Sequence, residues 1–212
     1  GFTGRLVAEY LNTTYGVGKT VRWAMAGRSA AKLAQVRDEL GIDAGLPLLV
    51  ADAGDEAALM DLVKQTRVVL TTVGPYQRFG EPLIRACASA GTDYVDLCGE
   101  PGWMAQMIPK LQETAHASGA RIVFSCGFDS IPFDLGVLHA QHEAQQRFGA
   151  PLVRVHGRVK TMKGTFSGGT VASMLATMEA IGRDRSLIKI LGDPFSLTPG
   201  FRGPRQPNDN VA

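Results

Sequence analysis

Gly1-Phe2-Thr3-Gly4 opens the chain and runs directly into the apolar stretch Arg5-Leu6-Val7-Ala8. Two glycines at this spacing before a helix have the makings of a phosphate-binding turn. One lets the backbone approach a pyrophosphate, and the next lets the helix pack closely on a strand. The first N–H groups of such a helix also carry partial positive charge. Gly1, Phe2, Thr3 and Gly4 are therefore candidate pyrophosphate contacts; the alternative is a plain flexible turn before a helix.

Three further places carry groups that suit the rest of a dinucleotide. Gly27 is followed by Arg28 and Ser29, with Lys32 one helical turn on. A guanidinium, a hydroxyl and an ammonium would hold a ribose 2′-phosphate that an Asp would repel, which favours NADP over NAD. The alternative for Arg28 is a solvated surface charge. Asp52-Ala53 can flank the adenine ring, or Asp52 can serve as a turn or cap residue. Val73-Gly74-Pro75-Tyr76 combines close backbone approach at Gly74 with a turn set by Pro75. There Tyr76 is a candidate proton donor near the nicotinamide, or a packing residue. Asp129 is a second catalytic candidate. With Ser130 it opens a helix whose backbone N–H groups are candidate oxyanion donors; the alternative is a capping turn that hinges two domains. Glu100 reads as a base or as a buried ion-pair partner.

The elements that must carry these residues follow from apolar runs and their punctuation. A helix is expected over 5–12 or 5–15, then a strand over 21–26 closed by Gly27, and a helix over 30–40 capped by Ser29. A buried strand over 46–50 follows, then a helix over 56–65 capped by Asp55 and a strand over 68–73. The alternation continues with a helix over 81–90, a strand over 94–97, a helix over 103–117 that Pro109 should kink or split, and a strand over 121–125. After Cys126 a helix to about residue 148, a half-exposed strand over 153–161 and a helix over 171–181 are expected, and 197–212 reads as a loop.

Alternating strands and helices imply parallel pairing through right-handed crossovers. With one strand placed before Gly1, six strands form a doubly wound, Rossmann-type α/β sheet of order 3-2-1-4-5-6. The chain is thus expected to begin inside its own motif and to be a fragment. Residues 1–130 would form the nucleotide-binding domain without its first strand, and 131–212 the start of a second, α+β domain. Two unpaired inner sheet edges would result, and with them poor solubility or partial unfolding.

Composition narrows the function classes. A net charge of +2 is too small for a nucleic-acid surface, and charged residues make up an ordinary 20%. No apolar run approaches the roughly 18–20 residues of a membrane span. Cys87, Cys98 and Cys126 form no C-x-x-C pair, and the four histidines have no ligand spacing. No metal site is expected, buried thiols are, and a reducing cytoplasm fits.

Six segments together resemble one family. They are Gly1-Phe2-Thr3-Gly4, Ala26-Gly27-Arg28-Ser29, Val73-Gly74-Pro75-Tyr76, Gly80-Glu81-Pro82-Leu83, Asp93-Tyr94-Val95-Asp96 with Gly99-Glu100, and Gly127-Phe128-Asp129-Ser130-Ile131-Pro132 with Asp134-Leu135-Gly136. In this order they look like the saccharopine dehydrogenase-like oxidoreductases, nearest to the branch of trans-acting enoyl reductases. Gly168-Gly169-Thr170 and Ala172-Ser173-Met174 are similar to the bacterial members. The resemblance implies an NADP-binding domain and hydride transfer. In the bacterial branch it implies reduction of an enoyl thioester, small or carrier-bound, with a polyketide synthase as partner in lipid or polyketide synthesis. Family members extend beyond residue 212, so the segment alone is expected to be inactive. Two other readings stand beside this one: a dehydrogenase of the saccharopine type, and a non-catalytic NADP-binding module.

Overall fold

Short apolar runs separated by amphipathic helices build parallel strands with helical crossovers, and this chain has five such strands with four helices between them. A computed structural model describes residues 1–198 and 200–203. The order is α1 (Phe2–Tyr15), β1 (Met25–Gly27), α2 (Ala30–Glu39), β2 (Leu48–Val50), α3 (Glu56–Val63), β3 (Val68–Thr71), α4 (Tyr76–Ala90), β4 (Asp93–Asp96), α5 (Pro101–Ser118) and β5 (Ile122–Val123). Three helices follow: α6 (Ile131–Phe148), α7 (Gly168–Arg183) and α8 (Leu187–Gly192).

All strand pairs are parallel, but they fall into two sheets, β1-β2 and β3-β4-β5. In the order 3-2-1-4-5-6 these are the two halves on either side of the central strand. β1 and β3 each end a sheet, so the two inner edges expected from the sequence are present. The larger sheet is covered on one face. Val69, Tyr94 and Ile122 lie side by side in register and meet Leu59 and Val63 of α3, Ile84 and Cys87 of α4, and Trp103, Met107 and Leu111 of α5. On the other face Leu70, Val95 and Val123 line up, with Leu70 52% and Val123 47% exposed. A second, smaller core joins Ala8 of α1 to Ile42, Leu46, Trp23, Met25 and Leu48, and Arg5 pairs with Glu39 of α2.

Several boundaries differ from the sequence reading. α1 starts at Phe2 rather than Arg5, so the glycine pair belongs to the first helical turn. α4 starts at Tyr76, five residues before the expected start, because a distant carboxylate caps it, as described below. α5 runs unbroken through Pro109, with Pro101 in its first turn. β1 and β5 are shorter than expected, since a strand is defined by its ladder and each has only one neighbour.

The expected strand over 153–161 does not form. That segment forms neither strand nor helix, and Val153 is fully exposed. Alternating valines need a neighbouring strand to bond to, and none lies there among the described residues. Among the described residues after 130 the regular elements are the helices α6, α7 and α8. α8 was not foreseen. Most of the terminal loop reading, at Pro199 and residues 204–212, lies outside the described residues.

Candidate functional site

Ligands of doubly wound sheets bind beyond the carboxyl ends of the strands, and the candidate residues gather at those ends. At the start of α1 the first intrahelical bond runs from Arg5 N–H to Gly1 C=O at 3.1 Å. The N–H groups of Phe2, Thr3 and Gly4 precede that bond and have no intrahelical acceptor. Gly1 and Phe2 are exposed. Gly4 sits hard against the end of β3: a Cβ there would lie 3.2 Å from Thr72 Oγ1. The phosphate-type turn and Val73-Gly74 are thus brought together.

Arg28 and Lys32 are both exposed just beyond β1. Ser29 caps α2, its Oγ accepting from the Lys32 N–H at 3.4 Å. Asp52 has the geometry of a turn residue, accepting from Gly54 N–H at 2.9 Å, while Ala53 is half-buried beside it. Val73 is 52% exposed and donates its N–H to Thr71 Oγ1. Gly74 faces α7: a Cβ added to it would meet Ser173 Oγ at 3.5 Å. Pro75 is buried at the N-cap of α4.

Tyr76 is 4% exposed and tilts against Trp103 with ring centroids 5.7 Å apart. Its hydroxyl donates to Thr71 C=O at 3.2 Å and accepts from Leu97 N–H at 3.4 Å. Burial drives its proton affinity well above the ordinary range. This is the geometry of a packing residue, the alternative weighed for it above. Asp129 is exposed in a turn. The neighbouring Ser130 and Ile131 N–H groups both donate to Gly127 C=O, at 3.2 and 3.0 Å. Those two N–H groups are spent inside the turn, which removes them as oxyanion donors.

Two carboxylates that are 2% exposed dominate the interior behind this rim. Asp96, at the end of β4, accepts from Cys98 N–H at 2.9 Å and Ser125 N–H at 2.8 Å through Oδ1, and from Tyr94 O–H at 2.9 Å through Oδ2. Burial raises its pKa, the bonds from Cys98, Ser125 and Tyr94 oppose that, and the charge of Glu100 adds to it. Ser125 adopts φ +57°, a left-handed conformation costly for a residue with a Cβ, and the Asp96 bond helps hold it. Glu100 is buried, but the partners of its carboxylate are neutral donors rather than an opposite charge. Its carboxylate accepts the N–H groups of Tyr76 and Gln77 at the start of α4 and the hydroxyl of Ser173 from α7.

Asp96 and Ser173 were missed by the sequence reading. A signal existed for Asp96, which shares the inward parity of Tyr94 in β4. None existed for Ser173, whose partner is 73 residues away. Cys87 and Cys98 are core packing groups, Cys87 fully buried with its pKa pushed up to about 12 by burial, whereas Cys126 is only half-buried.

Comparison with known proteins places this geometry in a family. Residues 1–123 match the model of the saccharopine dehydrogenase NADP binding domain. A Mycobacterium tuberculosis protein provisionally named as a trans-acting enoyl reductase is 44% identical over 200 residues, covering 94% of this chain and 47% of its own length. A trans-acting enoyl reductase of Mycobacterium ulcerans is 40% identical over 200 residues, covering 93% of this chain and 47% of its own. Apo saccharopine dehydrogenase (L-Glu forming) from Saccharomyces cerevisiae superposes with a TM-score of 0.52 at 17% identity, over 69% of this chain and 30% of that one. That likeness concerns the fold. The chain spans about half the length of the curated relatives it matches.

Proposed function

The chain belongs to the family of the saccharopine dehydrogenase NADP binding domain, and from that premise we propose that it is the nucleotide-binding part of an NADP-dependent reductase of enoyl thioesters. The observation that carries the reading is the convergence at the strand ends. The first N–H groups of α1 lie beside Thr72 because Gly4 has no side chain, and the Gly74-Pro75 turn adjoins them. A pyrophosphate fits the first and a nicotinamide the second, with Arg28 and Lys32 free at the ribose end.

When bound, NADPH supplies hydride, here for the β-carbon of an α,β-unsaturated thioester. The chain's own contributions are placement and charge. The α1 N-terminus holds the diphosphate, and Arg28 grips the 2′-phosphate with Lys32 beside it. The relatives' names support an acyl substrate presented in trans by a partner synthase. No helix among the described residues is long and apolar enough to cross a membrane.

The test uses the full-length protein, titrated with NADPH and NADH, in wild-type form and as Arg28→Asp. Losing a charge-assisted bond to a phosphate is expected to cut the preference for NADPH by roughly ten-fold or more. Unchanged preference in the variant would refute the assignment of Arg28. Turnover is followed by the absorbance of reduced nicotinamide with an enoyl thioester present. Cofactor binding without turnover of any acceptor would replace the enzyme by a binding module.

A further inference from the structure

Glu100 is an unusual carboxylate, because it is 2% exposed and every hydrogen-bond partner it has is neutral. Oε1 accepts from Tyr76 N–H at 2.8 Å and from Ser173 O–H at 2.7 Å, and Oε2 accepts from Gln77 N–H at 2.9 Å. Two of these donors belong to the start of α4, where the helix dipole favours a negative charge. The third reaches over from α7, in the part of the chain beyond the nucleotide-binding domain.

The surroundings make the third bond consequential. Ser173 Oγ lies 3.5 Å from where a Cβ on Gly74 would sit, so the tie is formed beside the turn assigned to the nicotinamide. A second tie joins the same helices at Arg78–Glu179, 2.8 Å, but it is half-exposed and correspondingly weak. Between α4–α5 and α7–α8 a cavity of about 180 Å³ remains, bordered by Gln77, Glu100, Trp103, Thr177 and Leu187. The seam is thus not closed by continuous apolar packing. Across it the Ser173 hydroxyl, itself half-buried, reaches a carboxylate that is 2% exposed.

We propose that Glu100 is a positioning residue which, through Ser173, sets α7 over the Gly74-Pro75 turn and so aligns an acyl substrate with the nicotinamide. This rests on the NADP reading of the site. Ser173→Ala removes the tie while leaving Glu100 its two backbone donors, so the cap of α4 survives. In the full-length protein NADPH affinity should stay unchanged, and kcat/KM for the enoyl thioester should fall roughly ten-fold, the worth of a hydrogen bond to a charged group. Ser173→Thr, which keeps the hydroxyl, should restore it. In a Glu100→Gln background, Ser173→Ala should cost much less, since the two residues act along one route.

Hydrogen exchange gives a readout independent of turnover: the amides of α7 should exchange faster in Ser173→Ala, those of β4 should not. Wild-type kcat/KM in Ser173→Ala, strictly additive effects with Glu100→Gln, or unchanged α7 exchange would each overturn the proposal. Failure of the wild-type protein to bind NADPH would instead strike the cofactor reading, and α7 exchange would still judge the tie.

Discussion

At the scale of single residues, the site is organised by buried carboxylates rather than by the exposed groups around its rim. Asp96 holds together the ends of β4 and β5 by accepting from Cys98, Ser125 and Tyr94. Desolvation nonetheless raises its pKa above the ordinary 3.8. A carboxyl raised in the folded state contributes stability that is fully present below its unfolded pKa and is lost as pH rises through the folded value. Asp96→Asn keeps the shape and removes that titration. The stability of wild type relative to the variant should therefore decline as pH rises from 3.8 towards neutrality. Denaturant midpoints of both proteins across that range provide the check, and a gap that widened in favour of wild type would contradict it.

At the scale of elements, α4 and α5 approach each other at a glycine. A Cβ on Gly80 would stand 2.8 Å from Trp103 Cζ2, closer than real Cβ contacts come, and a tight 3.3 Å from Tyr76 Cβ. Trp103 is itself packed against Tyr76 and Phe124, which limits how far the ring can shift. Gly80→Ala should cost about 1–3 kcal/mol of overpacking, against at most about 1 kcal/mol gained in helix propensity. Net destabilisation is expected, seen as a lower denaturant midpoint with an unchanged slope. A more stable variant would mean that the helices slide apart freely. The same pair of helices shows how an element's start can be set remotely. α4 begins at Tyr76 because Glu100, at the head of α5, accepts its first two N–H groups.

At the scale of the whole molecule, the sheet is split and the larger half is covered on one side. Val68 and Leu70 on β3 and Val123 on β5 face outward about half exposed, and α6 adds Leu135, Leu138 and Phe148. Exposed strand edges beside an apolar face are templates for association. The 212-residue chain by itself should show an apparent mass that rises with concentration in light scattering. Leu70→Lys, which places a charge on the open face, should reduce that rise. A constant monomer mass over a wide concentration range would show that this face is satisfied within one chain.

Strand and helix alternation and the cap residues Ser29 and Asp55 were legible in the amino-acid order, because each is a local signal read over a few residues. The strand 153–161 was misread for the converse reason, since its alternation is local but its hydrogen-bond partners would have to come from elsewhere. The approach of Gly4 to Thr72 and the closing of Ser173 on Glu100 join residues 68 and 73 positions apart. Composition and periodicity carry no information about such pairs. They exist only once packing has chosen which buried charge faces which donor, and low-dielectric burial makes that choice expensive to reverse.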